Sequence, residues 1–520
     1  MERHVFIQKD SYHDSVLLMR ISRELQGGDG ISDAVVVMGT PFNRALLVDM
    51  GYAAADLEEA GPNDLVLAVS GEVVEPEELA LRVADLLRAD RPAEMAAGRP
   101  TNLAGALELE PRVNLVLISV PGRYAAREAR RAMAHGRHVM LFSDNVSLDD
   151  EVVLKQDAAA RGLLCMGPDC GTAIINGKPL AFANVVRRGS IGIVGASGTG
   201  IQEISSCIHR LGGGVSQAIG TGGRDLSAEV GGIMTVQAVR ALAADPATEA
   251  IVVVSKPPAA LVGATVVEVL RQAGKPAVVQ FVGAAATPPN AGDSLVFAGS
   301  LAGAAVAACR MVGIEIDEDP ETAPDPVALS AAIAKLGPDT RLNGLFCGGT
   351  TGQEAVALLA RAGIRVHSNL HKTGGYRWDG SGKPPADHLV LDLGDDVYTA
   401  GRPHPMIEPV LRNEVLERLA EGVDGADLFL FDVVLGYGSH DDPAGLLVAG
   451  LQVARDAARS HGRELVAVAS VTGTDGDPQN FAGQSRQLVD AGVIVQPNNR
   501  QAVEFTAAVL NGIRGEGGRG

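Results

Sequence analysis

Short apolar runs alternate with amphipathic segments along most of this chain. The apolar runs include HVFIQ, AVVVM, DLVLAVS, NLVLISV and HVMLFSD. Between them lie stretches whose apolar residues recur with the period of a helix, such as DSVLLMRISREL. Strands that alternate with helices predict right-handed βαβ crossovers and parallel sheets. We therefore predict an α/β protein whose first region, residues 1–185, is a Rossmann-like domain.

Two later regions repeat one plan. Residues 186–320 open with SIGIVGASGTGIQEISSCIHRLGGGVSQ, and residues 338–512 open with NGLFCGGTTGQEAVALLARAGIRVHSN. In each, an apolar strand meets a Gly-Ser/Thr-Gly loop, a helix carrying Gln-Glu follows, and a short strand comes next. This match predicts two duplicated, flavodoxin-like parallel-sheet domains. The acidic, proline-rich residues 321–337 predict a linker, and the glycine-rich residues 513–520 predict a flexible tail.

Composition and charge limit the classes of molecule that this chain can bind. Hydrophobic residues make up 46% of the chain, charged residues 21% and aromatic residues 3%, which suits parallel sheets packed closely on helices. The formal net charge of -19 argues against a nucleic-acid partner. The N-terminus is charged where a signal peptide is apolar, no run approaches the length of a membrane span, and the five cysteines are scattered. We therefore expect a cytoplasmic protein with reduced thiols and no membrane partner.

The two glycine-rich loops are candidates for anion binding. A strand that stops in a small-residue loop and opens a helix leaves backbone N–H groups unpaired, and the helix dipole favours a negative charge there. Such loops also serve merely to pack a helix on its sheet, but two matching loops related by pseudo-twofold symmetry suit a single phosphate. We predict phosphate contacts from Ser197, Gly198, Thr199, Gly200, Gly349, Thr350, Thr351 and Gly352.

Polar residues in three other loops are candidates for chemistry. AGRPHPMIEP holds Arg402 and His404 between prolines, either as an anion clamp and a proton carrier or as parts of a stiff surface loop. GYGSHDDP presents His440 at the end of a strand, without the defined ligand set that would predict a metal. MGPDCGTAI places Asp169 and Cys170 after a strand, either as substrate contacts or as a structural turn.

Over nearly its full length the chain resembles the FdrA family of acyl-CoA synthetase-like proteins, and its later regions resemble the ligase modules of succinyl-CoA synthetase. The stretches that carry the resemblance are SYHDSVLLMRIS, VVMGTPFN, LFSDNVSL, MGPDCGTAI, LAFANV, GIVGASGTG, AGRPHPMIEP and DVVLGYGSHDDPA. In the synthetase, as the resemblance implies, two helix N-termini cradle a phosphohistidine from a Gly-His-Ala-Gly stretch. Here the equivalent is Val296-Phe297-Ala298-Gly299, and a phenyl ring has no lone pair with which to attack phosphorus.

Further departures from the synthetase shape the expected activity. KDSYHDS stands where a Gly loop for CoA is expected, and no stretch resembles the ATP-grasp domain that loads phosphate from a nucleotide. The resemblance therefore implies a subunit of oxamate carbamoyltransferase in purine (allantoin) catabolism, which converts oxalurate and phosphate to oxamate and carbamoyl phosphate. Inorganic phosphate is then a substrate, and CoA is not expected to bind. No metal or other cofactor is expected. Companion subunits are expected to form an oligomer with this chain.

Within that scheme the candidate side chains have assigned roles. The carboxylate of the substrate is gripped by Arg402 or Arg224, and a proton is carried by His404 or His440. Other substrate contacts are expected from Asp169, Cys170 and Asn369. Two alternatives stay open: an acyl-CoA ligase that takes its nucleotide site from a partner, and a non-catalytic scaffold subunit.

Overall fold

The computed structural model consists of two compact units, residues 1–111 with 396–403 and residues 112–395 with 404–520. The described residues are 2–9, 11, 13, 15–26, 31–62, 64–71, 76–89, 100, 102–283, 294–316, 324–371, 376–378, 385, 387–399, 402–421 and 427–516. The predicted α/β class with parallel sheets is confirmed. Part of KDSYHDS lies outside the described residues.

The first unit contains a three-stranded antiparallel sheet. Its elements are β1 (Glu2–Gln8), α1 (Ser15–Gln26), β2 (Ile31–Met38), α2 (Pro41–Asp49), α3 (Ala54–Leu57), β3 (Leu65–Gly71), α4 (Pro76–Ala89) and α5 (Leu103–Leu109). Strand β3 lies between β1 and β2 and is antiparallel to both, so the parallel sheet predicted for these strands is wrong. Because β3 is buried along its whole length, its sequence is a continuous apolar run that does not reveal the direction of its neighbours.

The two faces of β3 belong to different parts of the core. Leu65, Leu67 and Val69 pack in a cluster with apolar residues of α1 and α4. Val66 and Ala68 pack in a second cluster that includes residues of α2 and α3. This alternation is the period of two that a strand imposes on its side chains.

A small parallel sheet begins the second unit. Its elements are β4 (Leu115–Ile118), α6 (Gly122–Ala134), β5 (His138–Leu141), α7 (Leu148–Ala160) and β6 (Cys165–Met166). The strands follow the order β4-β5-β6 and are parallel, so the predicted βαβ crossovers are present here. Ser147 caps the start of helix α7, because its hydroxyl accepts a hydrogen bond from the N–H of Asp150, and acidic residues in the first turn of α7 complement the helix dipole.

A seven-stranded sheet follows. Its elements are β7 (Thr172–Ile175), β8 (Lys178–Ala181), β9 (Arg188–Gly195), α8 (Gly198–Arg210), β10 (Val215–Gly220), α9 (Ile233–Ala244), β11 (Ala250–Ser255), α10 (Ala260–Gln272), β12 (Ala277–Phe281), β13 (Leu295–Phe297) and α11 (Leu301–Met311). Strands β9 to β13 are parallel, and the β7–β8 hairpin joins antiparallel at the β10 edge. The hairpin precedes residue 185 in the chain, so this sheet crosses the predicted domain boundary.

The last sheet has five parallel strands in the order β15-β14-β16-β17-β18. Its elements are α12 (Pro326–Ile333), β14 (Leu342–Phe346), α13 (Gly349–Arg361), β15 (Leu389–Asp392), α14 (Asp396–Thr399), α15 (Val410–Ala420), β16 (Leu428–Val434), α16 (Pro443–Ser460), β17 (Val466–Thr472), α17 (Phe481–Asp490), β18 (Ile494–Gln496) and α18 (Asn499–Glu516). Helix α14 falls within the residues of the first unit. Helix α8 of the preceding sheet packs against α13, and α11 packs against α18.

Two segments predicted to be irregular contain helix. The predicted linker includes α12, which begins where the Asp325 carboxylate accepts from the N–H of Val327 and Pro326 takes the first helical position. Proline is tolerated there because its missing N–H would be unpaired anyway. Helix α18 continues to Glu516, so part of the predicted flexible tail is helical, and residues 517–520 lie outside the described residues. Within the described ranges, no helix has the length and apolar character needed to cross a membrane.

Candidate functional site

The N-terminal ends of α8 and α13 lie against each other. The hydroxyl groups of Ser197 and Thr350 share a direct hydrogen bond. The backbone N–H of Thr350 donates to Oγ1 of Thr199 at 3.4 Å. A Cβ built on Gly348 would lie 2.7 Å from Cγ2 of Thr199, so the loops approach this closely only because a glycine stands there. The two loops therefore converge, and the Ser197–Thr350 contact fills the space directly between them.

Beside this contact, the α8 end presents backbone donors. The Ser197 hydroxyl caps the helix by accepting from the N–H of Gly200 at 3.1 Å. Gly198 and Thr199 are half-buried, and within the described part of the chain their backbone N–H groups donate to no other residue. A Cβ on Gly200 would lie 3.0 Å from Val254 of β11, so this glycine serves packing. The donors available to a ligand are those of Gly198 and Thr199.

A buried carboxylate of the protein itself caps the α13 end. Asp432 of β16 accepts from the N–H of Cys347 at 2.7 Å, from the N–H of Gly348 at 3.0 Å and from Oγ1 of Thr351 at 2.8 Å. Burial raises the pKa of Asp432, and these hydrogen bonds oppose that rise. Thr351 is fully buried in this cap. Its hydroxyl is committed to Asp432 and Gly348, and its predicted contact with phosphate stays a prediction.

Gly349 is the accessible position of the second loop. A Cβ built on it would lie 2.4 Å from Oδ2 of Asp392 and 3.3 Å from Nζ of Lys256. Asp392 ends β15 and Lys256 follows β11, so both stand at the carboxyl ends of parallel strands, where ligand sites of open sheets form. Gly352, by contrast, is a packing position, because its Cβ would lie 3.1 Å from Cδ1 of Leu370.

Asp392 and Lys256 are site residues that the sequence analysis missed. Burial raises the pKa of Asp392 to about 7, while the positive charge of Lys256 opposes that rise. Asp392 is 6% exposed, and its Oδ1 accepts from the N–H of Gly394 at 3.0 Å. The available signal was position: each residue stands at the end of an apolar strand, in AIVVVSK and in LVLD.

His404 lies beside the second loop, with its ring centroid 5.7 Å from that of Phe182. Desolvation lowers the pKa of His404 to about 4, so the imidazole is neutral at pH 7. Its Nδ1 accepts from the N–H of Met406 at 3.2 Å, which places the proton on Nε2. The neutral ring of His404 is suited to donate a hydrogen bond from Nε2, and its predicted role as a proton carrier stays a prediction.

The other predicted catalytic residues stand in two different units. His440 lies on a loop next to that of His404, because its backbone N–H donates to the carbonyl of Met406 at 2.8 Å. Its Nδ1 accepts from the N–H of Asp442 at 3.0 Å. Arg402 belongs to the first unit, where its backbone N–H donates to the carbonyl of Thr399 at 3.1 Å. The catalytic roles of His440 and Arg402 stay predictions.

The turn that carries Asp169 and Cys170 approaches the α8 end. A Cβ built on Gly198 would lie 3.1 Å from Oγ1 of Thr172, the residue that opens β7. Asp169 is exposed and has a positive φ of 54°. Cys170 is 2% exposed, and burial raises the pKa of its thiol to about 12. A thiol that stays protonated is a poor nucleophile, and the predicted substrate contact from Cys170 stays a prediction.

Asn369 and Arg224 are engaged by the protein. Asn369 donates from Nδ2 to the carbonyl of Asp392 at 2.8 Å and accepts at Oδ1 from the N–H of Asp392 at 3.0 Å. Both of its polar atoms thus position the end of β15, and its predicted contact with substrate stays a prediction. Arg224 donates to the carbonyl of Val146 at 2.8 Å and pairs with Glu151 at 2.8 Å. These contacts tie Arg224 to the small sheet rather than to the two helix ends.

Three family models match the chain. Residues 1–101 match the model described as AllF, heavy metal-associated domain, residues 186–283 match the CoA binding domain, and residues 345–509 match the CoA-ligase model. Residues 1–101 contain no cysteine, and soft metals select thiolate ligands. Among the residues that the structure describes, no group of His, Cys, Asp and Glu could hold a metal ion.

Relatives of this chain include CoA ligases. YahF of Escherichia coli K12 is 42% identical over 500 residues, which cover 95% of this chain and 96% of YahF. The α subunit of an ADP-forming succinate–CoA ligase from Methanothermobacter thermautotrophicus is 26% identical over 188 residues, which cover 35% of this chain and 61% of that subunit. With the CoA-ligase and CoA-binding matches, these relatives make the chain an acyl-CoA synthetase-like protein related to succinyl-CoA ligases.

Two solved structures resemble this chain remotely. The apo form of dinucleotide-forming acetyl-coenzyme A synthetase 1 from Ca. Korarchaeum cryptofilum aligns with 16% identity and a TM-score of 0.30, over 80% of this chain and 88% of that chain. ATP citrate lyase from Methanothrix soehngenii aligns with 13% identity and a TM-score of 0.33, over 80% of this chain and 85% of that chain.

Proposed function

This chain belongs to the family of YahF, and on that premise we propose that it holds the phosphate group of an acyl phosphate in an acyl-transfer enzyme of the CoA-ligase type. The observation that supports the proposal is the contact between the ends of α8 and α13. Around this contact lie the backbone N–H groups of Gly198, Thr199 and Gly349 and the ammonium group of Lys256. Helix N-termini next to a cation are suited to an oxyanion.

The chemistry of an acyl phosphate uses these groups directly. When it forms, a phosphate oxygen attacks the acyl carbon, and the leaving group departs with the electron pair of its bond and takes a proton. When it is consumed by a thiol, sulfur attacks the acyl carbon, the bond from carbon to the phosphate oxygen breaks, and the thiol proton is lost. Negative charge develops on oxygen in both directions, and fixed N–H dipoles stabilise it without reorganisation.

Phe297 restricts how phosphate is carried. It ends β13 at the position where the related synthetase is expected to have its phosphorylated histidine. Because a phenyl ring forms no phosphoryl bond, phosphate at this site is either free or part of the acyl anhydride. A nucleotide, if one is used, binds to a partner subunit in this scheme.

Two specific reactions fit the same site. The first is formation of an acyl-CoA from an acyl phosphate and CoA, which the CoA-ligase and CoA-binding matches favour. The second is the FdrA-type carbamoyltransferase reaction: phosphate attacks the carbamoyl carbon of oxalurate, the C–N bond breaks, and oxamate leaves with a proton, giving carbamoyl phosphate. Phe297 is compatible with the second reaction, because free phosphate is its nucleophile.

Phosphate binding tests the shared part of the proposal. Calorimetric titration of the purified chain with inorganic phosphate should show binding, and Lys256→Met should weaken it at least about tenfold, the loss of one charge-assisted contact. Lys178→Met, on the exposed β7–β8 hairpin, is the matched control and should bind like wild type. Absence of binding, or equal affinity in the Lys256 variant, would refute the proposal.

Substrate trials then separate the two reactions. The chain with its co-purifying subunits is given either succinate, CoA and ATP, or oxalurate and phosphate. A thioester product and measurable CoA affinity support the ligase, whereas a carbamoyl phosphate signal in ³¹P NMR without CoA affinity supports the carbamoyltransferase. If either activity persists unchanged in Lys256→Met, this chain is a scaffold for catalysis elsewhere in the assembly.

A further inference from the structure

Asp392 combines features that the phosphate contacts alone do not explain. Its side chain is more than nine-tenths buried, and its Oδ2 points at Gly349 at the N-terminal end of α13. Oδ1 is fixed by the N–H of Gly394 at 3.0 Å, while Oδ2 accepts from no other residue that the structure describes. Asn369 clamps the backbone of Asp392 from both sides. The chain thus builds a rigid carboxyl group with one oxygen left for a ligand.

The protonation state of the Asp392 carboxyl group decides whether it repels or binds an oxyanion. As a carboxylate, Asp392 itself supplies the negative charge that the α13 end favours, and it repels a second anion. As a carboxylic acid, it donates a hydrogen bond to an oxyanion and repels nothing. We propose that Asp392 takes up one proton when an oxyanion binds at Gly349, and that it then acts as a hydrogen-bond donor to the bound phosphate oxygen. This inference rests on the proposed phosphate site.

Charged groups on every neighbouring element shape this equilibrium. Lys256, after β11, favours the carboxylate, whereas Asp395 on the same loop and Asp432 on β16 favour the acid. His404 and Cys347 are further titratable groups near Gly394: His404 is neutral at pH 7, and burial raises the pKa of the Cys347 thiol to about 12, so neither carries charge at neutral pH. Burial is the largest influence and raises the pKa of Asp392 to about 7. The free protein therefore holds a substantial population of each form at neutral pH, so binding selects between them.

Sulfate is the probe for this coupling, because it stays a dianion between pH 6 and 9 whereas phosphate titrates in that range. Calorimetry in buffers of different ionisation enthalpy measures the protons taken up per sulfate bound. Wild type should take up close to one proton above pH 8, and its sulfate affinity should fall about tenfold per pH unit above pH 7, as linkage requires for one proton. Below pH 6 the affinity should level off, because Asp392 is already protonated.

Two variants isolate the residue. Asp392→Asn should bind sulfate with no proton uptake and an affinity independent of pH. Asp395→Asn, which removes the neighbouring carboxylate, should keep the uptake. If Asp392→Asn does not fold, Lys256→Met replaces it: removal of the positive charge should move the decline in affinity to higher pH.

The possible failures are distinguishable. If wild type binds neither sulfate nor phosphate, the proposed phosphate site is wrong, and this inference is wrong with it. If sulfate binds to wild type without proton uptake, or if Asp392→Asn takes up the same proton as wild type, the phosphate site stands and the role of Asp392 is refuted.

Discussion

Glu354→Gln should remove a pH-dependent loss of stability that arises where the two large sheets meet. Glu354 on α13 accepts from the N–H of Leu301 at 2.6 Å, at the start of α11. Glu203, at the matching place on α8, accepts from the N–H of Asn499 at 3.0 Å, at the start of α18. Each carboxyl group therefore caps a helix of the other half, and Asn499 Nδ2 also donates to Glu354 at 2.8 Å.

The size of the effect follows from the pKa of Glu354. Burial raises it from 4.5 to about 7, and the negative charge of Glu203 contributes to the rise. Because the folded state holds this proton more tightly than the unfolded state, the stabilisation is complete below pH 4.5 and is lost as the pH rises towards 7. At 1.36 kcal/mol per pKa unit, the loss amounts to about 3 kcal/mol. Glutamine has no proton to lose, so its variant should lack this decline.

Urea unfolding followed by circular dichroism at pH 5, 6, 7 and 8 measures the effect. The free energy of unfolding of wild type relative to Glu354→Gln should fall by about 2.5 kcal/mol between pH 5 and 8, because part of the stabilisation is already lost at pH 5, and this difference cancels other titrating groups. Glu315→Gln, at an exposed position, is the control and should run parallel to wild type. A constant difference between wild type and Glu354→Gln across the range would refute the reasoning.

Three further predictions use the same methods. Asp432→Asn puts an amide N–H against the donors of the α13 end and should lower the free energy of unfolding by about 1–3 kcal/mol in urea. Gly348→Ala drives a Cβ into Thr199 and should weaken calorimetric phosphate binding, whereas Gly337→Ala, with no atom within 4 Å of its Cβ, should not. Burial raises the pKa of all five thiols, so iodoacetamide at pH 8 should label them only in denaturant, and rapid labelling of the native chain would contradict their burial.

The two converging loops were predictable because the signal is local. A strand, a small-residue loop and a helix lie within one short segment, and the segment occurs twice. The ends of apolar strands indicated Lys256 and Asp392 separately, but their pairing was not predictable, since they come from different sheets and meet only through the packing of α8 on α13. The cap from Asp432 was missed for the same reason. Its single polar side chain in an apolar strand gave a hint, but the sequence does not say which N–H groups it meets.

The direction of the strands in each sheet could not be predicted from the sequence either. The antiparallel sheet of the first unit and the parallel sheets of the second have equally apolar central strands, because burial on both faces, and not direction, produces a continuous apolar run. Helical periodicity between strands does not decide the matter either. Helix α1 connects β1 to β2, yet these strands are not neighbours, because β3 is inserted between them.

The two duplicated halves differ in the groups that cap their helix N-termini, and this difference makes the two sides of the site unequal. The α8 end is capped by the neutral hydroxyl of Ser197, which leaves the helix dipole uncompensated and N–H groups available. At the α13 end, the Asp432 carboxylate partly compensates the helix dipole by accepting from the N–H of Cys347, and Asp392 lies next to Gly349. In the proposed phosphate site, an oxyanion therefore gains more from the α8 end, while the α13 end supplies titratable groups. Two equivalent ends would hold a phosphate symmetrically, whereas this pair is suited to hold it on one side and to exchange a proton on the other.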